Sequence, residues 1–310
     1  MYKLRDWVEK KLQTQVFATE DPWIHLSKNP NAISLLEQNQ DKDYWKYDYI
    51  YRNPNAIHLI EKNIEYLTKY GEWMYLCLNP SGIHLLEKNP DKINWIALSH
   101  NPSAISILEK NLNKIDWYCL SQNPSAISIL EKNQDKINWS GLSYNPNAIR
   151  LLEQNPDKIN WYNISENPNA ISIIEKNLDK VYWHCLSKNP NAIHLLEQNP
   201  DKINWYNLSQ NPNAIHILEK NFNKINWSGL SQNPNAIHIL EQNQDRIDWK
   251  NIYENPGIFE YDYSAMKEAR SELLEELVSV VFHPRNMPCF NALGLEEFDY
   301  DPNGRLKVKD

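Results

Sequence analysis

Five histidines and a row of tyrosines are the residues whose types and spacing could do chemistry. His194, His216 and His238 follow one another at 22-residue intervals, and His58 and His84 hold the same place earlier in the chain. Imidazole is a common metal ligand. The ligands of one zinc must converge to about 2.1 Å from it, whereas stacked helices lie about 8–10 Å apart. One histidine per layer therefore builds no shared metal site, and the expectation is surface histidines on an exposed helix face. A second row follows a recurring Trp: Tyr118, Tyr162, His184 and Tyr206, interleaved with Ile96, Ser140 and Ser228. Tyr offers a large contact area at low entropic cost, so this row suits protein recognition. Tyr118, Tyr162, His184, Tyr206, His194, His216 and His238 are the candidate protein-binding residues. Two readings of the Tyr row stay open. It is an exposed groove notched at Gly141 and Gly229, or it is buried and the alternation is size compensation between layers.

Other reactive side chains point to no reaction. A Glu recurs from Glu37 to Glu241, read as a ladder that satisfies helix ends and the indole N–H of the Trp, or else as a charged binding stripe. Cys77, Cys119, Cys185 and Cys289 show no paired spacing. Cys119 and Cys185 share a repeat position three layers apart, beyond disulfide reach. Free thiols of an intracellular protein are expected. There is no nucleophile elbow, phosphate loop, zinc signature or carboxylate dyad. The expectation is a protein that is not an enzyme and takes no cofactor or metal.

These rows exist because the chain is a tandem repeat. Asn-Pro steps fall at 29, 53, 79, 101, 123, 145, 167, 189, 211, 233 and 255, with a spacing of 22 from Asn79 onward. A fixed period in this range marks a repeat architecture. Eleven of the 12 Trp occupy one repeat position, from Trp23 to Trp249. Each unit reads as two short helices. Asn is a good N-cap and Pro suits the first helical position, so Asn-Pro opens the first helix. Ala104, Ile105, Ile107 and Leu108 cover one side of it. It stops at an Asn such as Asn111, expected in the left-handed conformation that Asn tolerates. The second helix is expected to start at a further Asn-Pro, as at Asn155-Pro156, with Asp157 on the positive end of its dipole. Its apolar residues Ile159, Trp161 and Ile164 form no clean stripe, which implies burial on several sides or a 3₁₀ part. A leucine-rich horseshoe has a similar period, but the helix punctuation and the lack of alternating β-branched runs favour paired helices.

The fold class that follows is an all-α solenoid of about eleven 22-residue helix pairs with N- and C-terminal caps. Residues 1–22 read as the N-terminal cap, 23–256 as the array, 257–300 as a C-terminal helical cap and 301–310 as a polar tail. Extra residues between Trp45 and Asn53 and between Asn63 and Trp73 mark the first third as irregular. Eleven layers of packed helices predict a curved rod roughly 90–110 Å long. The net charge of −8, with Lys alternating with Glu or Asp, argues against a nucleic-acid groove. No apolar run is long enough for a membrane span, and no apolar signal-peptide core follows the first residues.

The unit Asn-Pro-Asn-Ala-Ile-x-Leu-Leu-Glu-x-Asn-Pro-Asp-Lys-Ile-Asn-Trp-x-x-Leu-Ser resembles the tandem repeats of proteins encoded by giant DNA viruses of the mimivirus kind. The resemblance covers about residues 23–256. The opening Leu4-Arg5-Asp6-Trp7 and the segment Phe282-His283-Pro284-Arg285 are similar to parts of the same group, whereas the insertions at 46–52 and 64–70 depart from its pattern. The resemblance implies a viral origin and a place in the cytoplasm of an infected cell or in the virion. It brings no activity with it. The expected function is a monomeric, non-enzymatic scaffold that binds a protein of unknown identity. The alternatives are a structural rod or an adaptor whose C-terminal segment docks host machinery.

Overall fold

A computed structural model describes residues 2–14, 21–39, 49–70 and 73–281. Trp45, Cys289, part of the first insertion and everything after residue 281 lie outside the described residues. The described residues fall into two compact units, one within Tyr2–Glu260 and the other containing the helix Tyr263–Val281. The larger unit is an all-α solenoid of repeated helix pairs.

Each unit places its two helices by side-chain hydrogen bonds. In the unit that begins at Asn189, the first helix runs Ile193–Gln198 and the second, the Trp helix, Trp205–Gln210. A 3₁₀ turn at Pro200–Lys202 separates them. The turn's own Asn199 makes no side-chain cap, so the second Asn-Pro is a turn and not the start of the Trp helix. That helix is capped by the residue just before the Trp, where the Asn204 Oδ1 accepts from the Asn207 N–H at 3.0 Å. The first helix also ends differently from the expectation. Asn199 has φ −131°, outside the left-handed region, and its Nδ2 donates back to the Leu195 carbonyl at 2.9 Å. A side-chain bond across the last turn satisfies the orphan carbonyl without a strained residue.

Three ladders then join unit to unit. The Asn of each Asn-Pro step is buried. Its Oδ1 accepts from the N–H two residues on, and its Nδ2 donates to two carbonyls of the preceding unit. For Asn189 these are Ser165 at 3.2 Å and Asn167 at 2.9 Å. A buried Ser forms the second ladder. Ser209 donates to the Trp205 carbonyl and accepts from the Asn226 N–H of the next unit at 3.0 Å. Cys77 takes this place in its own unit, its sulfur accepting from the Asn94 N–H. In the third ladder, from Trp95 to Trp227, a Lys or Arg of the following unit lies over the preceding Trp, as Lys202 does over Trp183 at 4.6 Å. The Trp rings are therefore mostly half-buried plates between units and not the deep core. The core is made of Ala192, Leu195, Leu196 and Leu208 and their equivalents.

The ladders do not stop at the ends of the array. The Asn29 Nδ2 donates to the Tyr253 carbonyl at 3.0 Å and the Asn255 carbonyl at 2.9 Å, the same pairing that Asn53 makes with Ser27 and Asn29. The first Trp helix, Pro22–Leu26, packs on the last, Trp249–Ile252. The eleven units thus close into a ring, and the extended rod expected from helix stacking is not formed. Both chain ends build the closing unit. Asn255 starts its first helix as a 3₁₀ turn at Pro256–Ile258, after which the chain leaves as strand β2 (Phe259–Tyr261). Strand β1 (Tyr2–Leu4) pairs with β2, and helix α1 (Asp6–Thr14) follows it. Val8 of α1 is fully buried, Trp7 meets Trp249 edge-on at 6.0 Å, and Lys11 lies 5.2 Å over the Trp249 ring. The stretch expected to cap a free end supplies the cation that the last Trp lacks.

The extra residues after Asn63 add a helix, Ile64–Tyr70. In the second compact unit the chain forms the helix Tyr263–Val281, on which Leu273, Leu274 and Leu277 are exposed.

Candidate functional site

A closed ring has an inner row shorter than its outer row. Neighbouring Trp helices approach so closely that a Cβ on Gly141 would stand 2.7 Å from the Tyr118 carbonyl, and one on Gly229 2.8 Å from the Tyr206 carbonyl. The first helices of neighbouring units are instead bridged by long side chains, His194 to Glu175 at 2.8 Å and His216 to Glu197 at 2.9 Å. The Trp helices are therefore the inner row.

This geometry divides the sequence-derived candidates. Tyr118, Tyr162, His184 and Tyr206 are exposed on the inner row, because the residue after each Trp points away from the buried Leu and Ser of its own helix. The next position faces inward to the neighbouring helix, so Ala97, Gly141, Cys185 and Gly229 are buried. Size compensation operates at this second position. Gly141 and Gly229 are close-packing residues and not notches in a groove. His194, His216 and His238 stand on the other row, each held by a Glu of the preceding unit. They are exposed but engaged, and they do not join the Tyr row in one site. Five members of the Glu row, Glu37, Glu61, Glu175, Glu197 and Glu219, pair with a histidine of the following unit, His58 and His84 included.

Within the inner row the candidates come together at one place. Tyr162 lies 5.5 Å from the His184 ring, and a third ring, Tyr182, stands 5.5 Å from Tyr162 and 6.0 Å from His184. Tyr118 and Tyr206 are separate from this cluster. The Cys185 sulfur is 3.3 Å from the His184 Nε2. Glu166, half-buried, and Tyr162 both act on this thiol. Burial first, and the nearby Glu166 charge second, push the Cys185 thiol up to about 11. Cys185 raises the Tyr162 phenol, and burial followed by Glu166 raises that of Tyr144. Cys119 is also held at about 11, by burial and then by its bond to Asp116. A thiol with so high a pKa is not a ready nucleophile at neutral pH.

Tyr182, Glu166 and Tyr144 were missed by reading the variable positions alone. The signal for Tyr182 was present. Every other unit from Trp95 to Trp249 has Asn or Asp before its Trp, and each of those residues caps the Trp helix. Tyr182 replaces that residue, and its helix has no side-chain cap.

Among the described residues no group of three or more His, Cys, Asp or Glu side chains could hold a metal ion, and no helix is long and apolar enough to cross a membrane. Comparison with protein-family models, curated proteins and solved structures finds no match to the chain.

Proposed function

We propose that the protein is a non-enzymatic scaffold that takes a protein partner on the inner row of its ring. The observation that carries this reading is the exposure of Tyr118, Tyr162, His184 and Tyr206 on helices whose Trp, Leu and Ser positions are committed to the core and the ladders. Side chains free to vary on a rigid frame are what recognition requires, and Tyr is enriched where contact energy concentrates. The size of the ring narrows the partner. Eleven helices spaced about 8–10 Å apart have their axes on a circle of radius roughly 14–18 Å, which leaves an opening about 20 Å across. An α-helix with its side chains is about 10–12 Å wide, so a helix or an extended segment suits the opening and a folded domain does not. The resemblance to giant-virus repeat proteins supports an infected cell as the setting. Closure also counts against the structural-rod alternative, because a ring offers no free solenoid ends to extend.

The test is affinity capture from infected-cell lysate with the wild-type chain and with a Tyr118→Ser, Tyr162→Ser, Tyr206→Ser variant. A partner that the folded variant loses supports the reading. Identical partners on both baits would remove the inner row as the binding surface.

The adaptor reading draws on a separate observation, the exposed Leu273, Leu274 and Leu277 of the helix Tyr263–Val281. Leu273→Ser with Leu277→Ser should then abolish a second interaction and leave the inner-row partner bound. Retention of all partners would dismiss it.

A further inference from the structure

The chain shows how its aromatic rings are used. From Trp95 to Trp227, every ring of the third ladder carries a Lys or Arg of the next unit at 4.5–5.1 Å. The exposed rings of Tyr162 and Tyr182 carry none among the described residues. The Glu166 charge acts on Tyr162 and on Cys185, the residue after His184, and no ion pair of Glu166 with a Lys or Arg is present among the described residues. Tyr162 and Tyr182 meet edge to face at 66°, and Tyr182 and His184 at 87°, so the three rings support one another while each residue stays exposed. Aromatic faces next to a carboxylate attract a cation twice, through the ring quadrupoles and through the negative charge.

The identity of Tyr182 adds an independent point. Asn or Asp at this place would cap the Trp helix, as it does in every other unit from Trp95 to Trp249. The chain forgoes that cap here and presents an aromatic ring 47% exposed. A local rule broken at a half-exposed position marks a candidate functional residue.

We infer that Tyr162, Tyr182, His184 and Glu166 form a recognition site for a Lys or Arg side chain of the partner polypeptide. The inference rests on the inner-row reading and names the chemistry of that row's partner. A guanidinium is favoured over an ammonium, since its planar face stacks on a ring while its edge donates to the carboxylate.

The test uses the full chain and a fluorescent peptide carrying four Arg spaced by Gly-Ser, beside the same peptide with citrulline for Arg, in anisotropy titrations at physiological salt. The Arg peptide should bind and the citrulline peptide should not. Tyr182→Asn should weaken the Arg peptide about tenfold, within the range for a desolvated cation–π contact. The same change should raise the unfolding midpoint, because it restores the missing cap. Tyr182→Phe should retain binding, and Glu166→Gln should lower it. Tyr118→Ser with Tyr206→Ser separates the two readings. If that pair weakens the peptide and Tyr182→Asn does not, the row binds but the cation site is wrong. If neither changes binding, the inner row itself is wrong. Equal binding of the two peptides, or dependence on Tyr182 with free spermine but not with peptide, would also overturn the assignment.

Discussion

Ring closure makes a prediction at Asn29 that an open array would not. Asn29→Ala removes two donated hydrogen bonds, to the Tyr253 and Asn255 carbonyls, and one accepted from the Asn31 N–H. All three partner groups lose a buried side-chain partner. Each unsatisfied buried group costs about 1–3 kcal/mol, and relaxation offsets part of this, so a local cost of about 3–5 kcal/mol is expected. Asn145→Ala deletes the same bonds, to the Ser121 and Asn123 carbonyls. The local cost is the same, but the consequence differs. Around Asn145 the neighbouring units are joined by the chain itself. At Asn29 the partners are 224 and 226 residues away, and only the non-covalent seam holds them. Opening the seam also frees the long loop it closes, which adds an entropic gain to the open state. Hydrogen exchange read by mass spectrometry decides the matter. Asn29→Ala should accelerate exchange in α1 and at 249–258 and leave 139–166 protected, whereas Asn145→Ala should do the reverse. Unchanged protection of α1 in Asn29→Ala, or equal loss there in Asn145→Ala, would refute the closed ring.

Three further outcomes follow from the same contacts. At the seam Glu254 is paired with His25 at 2.9 Å and with Lys28. Burial alone would raise its carboxyl, but the His25 and Lys28 hydrogen bonds outweigh it and hold the group below the ordinary carboxylate range. A depressed carboxyl contributes stability that is complete above the unfolded-state value and is lost as pH falls through the folded value. Exchange of α1 should therefore rise as the solution is acidified below the usual carboxylate range, and Glu254→Gln should remove that pH dependence. Lys180 stands 5.1 Å over Trp161, so a double-mutant cycle of Lys180→Ala and Trp161→Ala in urea should give a coupling of about 0.5–1 kcal/mol, and zero coupling would reduce the contact to coincidence. Gly141→Ala would place a Cβ against the Tyr118 backbone carbonyl, which cannot swing aside, so about 1–3 kcal/mol of destabilisation is expected by chemical denaturation. Neutral behaviour would show that adjacent Trp helices have room to separate.

Much of the fold is local and therefore legible. The Asn-Pro steps, the period and the apolar face of Ala104, Ile105 and Leu108 identify units, helices and array from residue types, because caps and amphipathic faces are decided within a few residues. The candidate site was half legible. Tyr118, Tyr162, His184 and Tyr206 stood out as positions left free by the repeat, but sequence cannot say whether a free position faces solvent, a neighbour or an ion-pair partner. His194, His216 and His238 look equally free, yet each is paired with a Glu 19 residues earlier. Tyr182 could have been found by asking which unit breaks the Asn-or-Asp-before-Trp rule.

Sequence by itself determined the unit, its helices and the choice of an all-α repeat. Only tertiary structure decided that eleven units close. Closure needs a turn of roughly 33° per unit, and such rotation is a small quantity set between units. It depends on how tightly Gly141 seats on the Tyr118 carbonyl on one row and how far a His–Glu pair spans on the other. Neither distance is a property of a residue. The same holds for Asn29, whose type predicts a helix cap and whose buried amide, once the ends meet, joins the last unit of the chain to the first.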